Sequence, residues 1–384
     1  RSESIILHNL RRINMSSILP ASYIMAKRIH INEILRTGLI LVQLLVCSSL
    51  VSAQDIDFDQ IKMRDGLPDN SVRSIFQDSR GYMWFATFNG LSRFDGKNYR
   101  NYHSISGDTT SLTNNRIVGT VKEDKDGYIW CITDEGNLHR IDPSTSIVLD
   151  LFTQILKQEF PVQDFIITSK GDLWLWGRKG CVYLRYSADR KGLEAEYLSQ
   201  EQFLPDDVVH FIIEDRKGKI WIGTEAGLVN VDHSDSKMRL VNNYFDGLSM
   251  ISTYEDGNHL WFGTRRSGLK YYSQETGNFE HHPLINAQLQ TNPIYCIQAI
   301  DSSRILLGSR KYIYDVDKEE NIVVRRFHSS IDSVSEIFVD SRNNIWLSQH
   351  NRGICRYDRD SKSLLYYSLN AGNREFLGDQ DAPV

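Results

Sequence analysis

A chain of 384 residues, 41% hydrophobic and 24% charged, carries enough apolar side chains for a sizeable core. Its formal net charge of −5 excludes the basic surplus that a nucleic-acid surface needs. With 25 Gly, 8 Pro and 11% aromatic residues, the composition favours many short strands joined by turns.

In chain order, residues 1–24 read as sequence upstream of a start at Met25, since the chain does not open on Met. Residues 25–53 read as a helical signal peptide. Lys27-Arg28 is the basic start, Gly38 to Val46 the apolar run, and Val51-Ser52-Ala53 the exit, with Gln54 next. The apolar run is shorter than the ~20 residues of a membrane span, so a retained anchor is the weaker alternative. Lipid attachment at Cys47 is weaker still, because Val46 is bulky where a small residue is expected. Export to the periplasm or another extracytoplasmic space is therefore expected. Cys131, Cys181, Cys296 and Cys355 then remain, each alone in a strand-like run. Without CxxC spacing they are expected to be buried thiols; no metal and no cofactor is expected.

From residue 71 onward one pattern dominates: an apolar run, Asp, Gly three residues on, Trp three further, a small residue, Thr, then Gly-Leu and an aromatic-Asp pair. It is complete in Asp78-Ser-Arg-Gly81-Tyr-Met-Trp84-Phe-Ala86-Thr87-Phe-Asn89-Gly90-Leu91 with Phe94-Asp95. It recurs around Trp130, Trp174, Trp221 and Trp261, degenerates around Leu306, and returns around Trp346. The anchors lie 46, 44, 47, 40, 45 and 40 residues apart, the period of a four-stranded propeller blade. Asp-x-x-Gly is a tight hairpin turn in which Asp caps backbone amides and Gly takes a positive φ. Asn343 stands in for that Gly in the last copy. The Trp is large enough to fill the space between neighbouring sheets, and the small residue lets them approach. Trp176 occupies the small-residue position of the third copy; core is its expected place.

The reading is an all-β, seven-bladed β-propeller of four-stranded antiparallel blades over residues 54–370, preceded by the signal peptide and followed by a tail, 371–384. Strands of the first blade are expected near 71–77, 82–87, 90–95 and 98–102. Either Ile56–Ile61 or Ser363–Ser368 can supply the last strand of the seventh blade. Closing the ring removes long exposed edges.

The segment Leu67-Pro-Asp-Asn-Ser-Val72 with Asp78, Gly81, Trp84-Phe-Ala-Thr87, Gly90-Leu91 and Phe94-Asp95 resembles the two-component regulator propeller repeat of Bacteroidetes-type hybrid sensors. The resemblance spans residues 56 to about 368 and is sharpest in the first, fourth and fifth copies. It implies the periplasmic sensor of a hybrid sensor histidine kinase, with an inner-membrane anchor, kinase and further sensor modules downstream, signalling as a homodimer and often responding to oligosaccharides. No such modules follow here, so the chain is read as a fragment of a longer parent, with no kinase or other catalytic motif of its own.

In propellers, ligands gather where the turns joining strands B and C meet the segments leading into strand A. The candidates on those turns are Asn89, Arg178, Lys179, Glu225, Arg265, Arg266, Arg310, Lys311, His350, Asn351 and Arg352. Four of the seven turns are basic on an acidic chain, which points to an anionic oligosaccharide. Two alternatives stand beside the sensor. The Asp-x-x-Gly-x-x-Trp pattern resembles the Asp-box turn of sialidases, one residue longer, and propellers host glycosidases and lyases; an enzyme would need a unique acid/base pair near the channel. A protein-binding scaffold would differ only in its ligand.

Overall fold

The computed structural model describes residues 53–54, 60–61, 66–151, 161–186, 193–232, 238–280, 282–328, 334–349 and 353–357. The upstream stretch 1–24, the signal peptide up to residue 52, the alternative closing strand 363–368 and the tail 371–384 lie outside them.

Seven antiparallel sheets follow one another along the chain. The first is Val72–Gln77, Met83–Thr87, Gly90–Phe94 and Tyr99–Tyr102, within a residue or so of the expected strands. The fourth is Val209–Glu214, Ile220–Thr224, Gly227–Asp232 and Arg239–Tyr244. In each blade the strands are lettered A to D in spatial order from the channel outward. The seventh blade holds Val334–Val339, Ile345–Gln349 and Gly353–Tyr357, and its strand D is Gln60–Ile61. Gln60 pairs with Cys355 and Ile61 with Ile354, so the start of the chain closes the ring. One departure from four-stranded blades appears in the sixth. There Ala53–Gln54 adds a fifth, parallel strand outside Ile322–His328.

The Asp of the repeat does more than cap its turn. Asp78 Oδ1 accepts the amides of Arg80 and Tyr82, while Oδ2 accepts the indole N–H of Trp84 at 2.8 Å. Asp124 does the same for Trp130 at 2.7 Å, Asp215 for Trp221 at 2.9 Å and Asp340 for Trp346 at 2.8 Å. The buried indole thus brings its own acceptor six residues upstream. Where the repeat lacks this Asp, the consequence is visible. Thr168 precedes Trp174 and Glu255 precedes Trp261, and both indole N–H groups lie buried with no acceptor among the described residues. Asn343 takes φ 62°, alongside φ 88° at Gly81 and 76° at Gly218, the left-handed geometry the turn requires.

All seven anchors are core, none more than 9% exposed, which excludes them as sugar-stacking platforms. Each faces the next blade: Trp84 packs on Val121 and Ile129, Trp221 on Met250 and Phe262, Leu306 on Val334 and Ile345. The last, Trp346, packs on Val72, Ile75 and Phe85 of the first blade, with ring centroids 5.7 Å apart at Phe85. Trp176 is 4% exposed and donates its indole N–H to the His210 carbonyl across the third seam. Of the thiols, Cys131, Cys181 and Cys355 are buried and none of the four is in a disulfide.

Side chains also stitch the seams. At the Asp-turn end, Ser79 donates its amide and hydroxyl to Glu123 of the next blade, and Ser169 does so to Glu214. Ser341 donates its amide to Gln77, joining last blade to first. Along the channel wall, Thr120 donates twice to Asp164, Ser252 to the Ile294 carbonyl, and the Ile75 amide to Glu336 at 2.7 Å. A short helix, Pro283–Leu289, leads into the sixth blade. It buries Ile285 and Leu289, and the Asn286 amide pairs with both backbone groups of Leu269, standing in for a strand at that edge.

Candidate functional site

The B–C turns of the first, fourth and fifth blades are built alike. The Thr that ends strand B donates its hydroxyl to the Gly carbonyl beyond the turn: Thr87 to Gly90 at 2.8 Å, Thr224 to Gly227 at 3.0 Å and Thr264 to Gly268 at 2.9 Å. The same oxygen accepts an amide from inside the turn at Asn89, Ala226 and Ser267. This accounts for the repeated Thr. The segment leading into the next strand A lies against the turn. Gly90 donates to the Asn115 carbonyl, Gly180 to Asp207, and Gly353 to Asn70 across the closing seam. Turns and lead-in segments therefore form one continuous face around the channel mouth.

Strand A carries a one-residue irregularity against strand B in five blades, at residues 73, 163, 210, 251 and 335. A bulge of this kind re-aims the extra side chain. Two of these residues reach the mouth. Arg73 places its guanidinium carbon 4.9 Å from the ring centre of Phe88, on the first B–C turn. His210 lies 2.6 Å from the Glu225 carboxylate, on the fourth.

Glu225 is the hub of a compact polar cluster. Besides His210, its Oε2 accepts the Ser249 hydroxyl at 3.0 Å and Arg265 Nη2 at 3.0 Å, and Arg265 Nε reaches Ser249 at 3.2 Å. Burial raises the Glu225 pKa, but the hydrogen bonds from His210, Arg265 and Ser249 outweigh it, so the carboxyl is held below its ordinary value. Arg265 is therefore a clasp between the fourth and fifth blades, with its charge already matched.

A second cluster sits at the first seam. Arg116, on the lead-in to the second blade, stands 4.3 Å from the same Phe88 ring centre and 3.6 Å from Asp134. The Arg73 pKa is lowered, first by burial and then by the charge of Arg116. Sequence reasoning missed Arg73, Arg116, His210 and Ser249, and it put Phe88 on the first B–C turn without making it a candidate. The signal for Arg73 and His210 was their place just after the first apolar residue of strand A.

Of the turn candidates, Asn89 is exposed but spends its side-chain amide on the Pro68 carbonyl. Arg178, Lys179, Arg266, Arg310 and Lys311 are exposed, with no hydrogen-bonding or ionic partner for their side chains among the described residues. His350, Asn351 and Arg352 lie outside the described residues. Among the described residues no cluster of His, Cys, Asp or Glu has the geometry of a metal site.

Residues 66–89 and 204–226 match the family of two component regulator propellers. Histidine kinase P4 of Formosa agariphila is 25% identical to the chain, the match covering 81% of this chain and 34% of the kinase. A solved structure described as the extracellular domain of a hybrid two component system from B. thetaiotaomicron is 25% identical at a TM-score of 0.63. That match covers 78% of this chain and 42% of that one. The chain thus spans about a third of the curated relative and less than half of the solved one. Virginiamycin B lyase from Staphylococcus aureus, 13% identical at a TM-score of 0.59 over 78% of this chain and 98% of the lyase, shares the fold.

Proposed function

For a chain in which residues 66–89 and 204–226 match the two component regulator propeller, we propose a ligand-sensing role: the extracytoplasmic propeller of a hybrid two-component receptor, which recognises an oligosaccharide at the B–C mouth. The signal passes to sensor and kinase modules of a longer parent anchored in the inner membrane, and pairing of two copies transmits it. The observation that carries this reading is the mouth itself. Its first, fourth and fifth turns are locked by Thr hydroxyls and backbone bonds, and Arg178, Lys179, Arg266, Arg310 and Lys311 stand exposed on the third, fifth and sixth. A rigid rim with unmatched cations suits an acidic sugar, because arginine forks grip carboxylate or sulfate with two bonds. A ligand touching several blades at once can shift a conformational equilibrium only through its differential affinity for the two states.

The enzyme alternative now has a specific pair to consider, since His210 and Glu225 lie 2.6 Å apart at the mouth. Against it, Glu225 Oε2 is already engaged by Arg265 and Ser249, which suits a fixed clasp better than a group that must exchange protons with substrate.

Binding to an array of acidic and neutral oligosaccharides tests the reading. The double variants Arg178→Ala/Lys179→Ala and Arg310→Ala/Lys311→Ala are each expected to weaken acidic-sugar binding roughly 5- to 10-fold, and raised salt is expected to weaken it further. Turnover of an oligosaccharide, lost in His210→Ala, would favour the enzyme instead. Binding of no sugar at all would remove the sensor reading.

A further inference from the structure

We infer that Arg73 and Arg116, gathered on the ring of Phe88 at the seam between the first and second blades, form a receptor for the oxyanion of an acidic sugar. This rests on the ligand-sensing reading and deepens it, by naming where the ligand's charge is received.

Three observations converge. The first is geometry. Two guanidinium carbons stand 4.9 and 4.3 Å from one aromatic centroid, contributed by a strand-A bulge and by the lead-in to the next blade. An arginine lying on an aromatic face has already lost much of its side-chain freedom, so less ordering remains to be done when a ligand binds. The second is charge. The cluster brings two cations together and one carboxylate, Asp134, which stands 3.6 Å from Arg116 with about half of the Arg116 side chain exposed. Arg73 has no carboxylate partner among the described residues, and burial together with the Arg116 charge disfavours its protonated form. An incoming oxyanion between the two guanidiniums reverses that penalty, because it is attracted to both. The third is contrast. At the fourth seam Arg265 is neutralised by Glu225, whereas at the first seam two arginines share one carboxylate, Asp134.

The ligand chemistry is an oxyanion on a pyranose: the carboxylate of a hexuronic acid or a sulfate ester. Both present the paired oxygens that a guanidinium fork accepts. The two sources are separated by the probes.

Titration calorimetry with glucuronate, glucose 6-sulfate and glucose tests the site on the full chain. One or both acids are expected to bind saturably and glucose not. The acid that binds identifies the oxyanion. Arg73→Gln is expected to weaken that binding about 10-fold, and Arg73→Lys, which keeps the charge and loses the fork, about 3- to 5-fold. Arg80→Gln, an exposed arginine on the Asp-turn end of the first blade and away from the mouth, is expected to change it less than 2-fold. A thermal melt of Arg73→Gln within about 2 °C of the parent chain separates lost binding from lost folding. If Arg73→Gln binds as tightly as the parent chain while the Arg310→Ala/Lys311→Ala variant does not, the inference falls and the sensor reading stands. If neither acid binds saturably, the inference falls; if in addition no oligosaccharide on the array binds, the sensor reading falls with it.

Discussion

Asp215→Ala is expected to lower the unfolding free energy by about 3 kcal/mol and the melting midpoint by roughly 6–10 °C. The carboxylate accepts the amides of Lys217 and Lys219 and the indole N–H of Trp221, and both Asp215 and Trp221 are buried. Alanine leaves three donors without that acceptor, and the indole, fully enclosed between the fourth and fifth blades, has no route to water. Asp215→Asn is expected to fall between the two, since an amide keeps one oxygen for the turn and offers the indole an N–H instead. The converse change is also informative. Thr168→Asp places an acceptor six residues before Trp174, whose indole N–H is buried and unmatched, and is expected to raise the midpoint by a few degrees. Thermal unfolding followed by tryptophan fluorescence reads all three. A midpoint for Asp215→Ala within 2 °C of the parent chain would show that the indole bond carries little of the repeat's stability.

Glu336 is expected to make stability fall as pH rises from about 5 to 8. This carboxyl lies on strand A of the seventh blade and is half-buried. Burial pushes its pKa up to about 8; the Ile75 amide, Lys122 and Ser74 pull it down, and the neighbouring Asp164 pushes it further up. The raised value means the folded chain holds a proton that the unfolded chain releases near the ordinary value of 4.5. The stabilisation is therefore fully present below about pH 4.5, is lost progressively as pH rises, and is gone above about 8. With the Ile75 amide at 2.7 Å, the affected bond is the one joining the seventh blade to the first. The loss is expected to reach about 2 kcal/mol in urea unfolding compared at pH 5.5 and 8.5. Glu336→Gln keeps an oxygen for the Ile75 amide without the titrating proton, and is expected to flatten the slope to under ~0.5 kcal/mol over that range. Asp164, also pushed up by burial, contributes a slope of the same sign. An undiminished slope in Glu336→Gln would assign the pH dependence elsewhere.

The blade count was legible because each seam needs one large side chain, and the six Trp and Leu306 mark the seams at near-constant spacing. Asn343 was legible for a similar local reason, since few residue types tolerate its backbone geometry. The choice between two closing strands was not, because Ile56–Ile61 and Ser363–Ser368 are both short strand-like segments outside the repeat, and nothing local says which pairs with the last blade. The structure gives the place to Gln60–Ile61. The helix Pro283–Leu289 was hidden because its seven residues give too short a window for a helical period. At the mouth, turn positions were legible from Thr and Gly, but not which cations are matched. Arg265 meets Glu225 across 40 residues of sequence, and Arg73 reaches Phe88 only because a bulge turns it. Contacts between blades depend on the register of separate repeats, which local pattern does not encode.

Hydrogen-exchange mass spectrometry with and without a saturating acidic oligosaccharide tests the sensing account most directly. Protection is predicted in the peptides holding residues 66–73, 88–90 and 114–117 and the B–C turns at 178–179 and 310–311, with the outer strands unchanged. Protection confined to outer strands such as Arg239–Tyr244, or none at all while the sugar demonstrably binds, would contradict a ligand seated at the channel mouth.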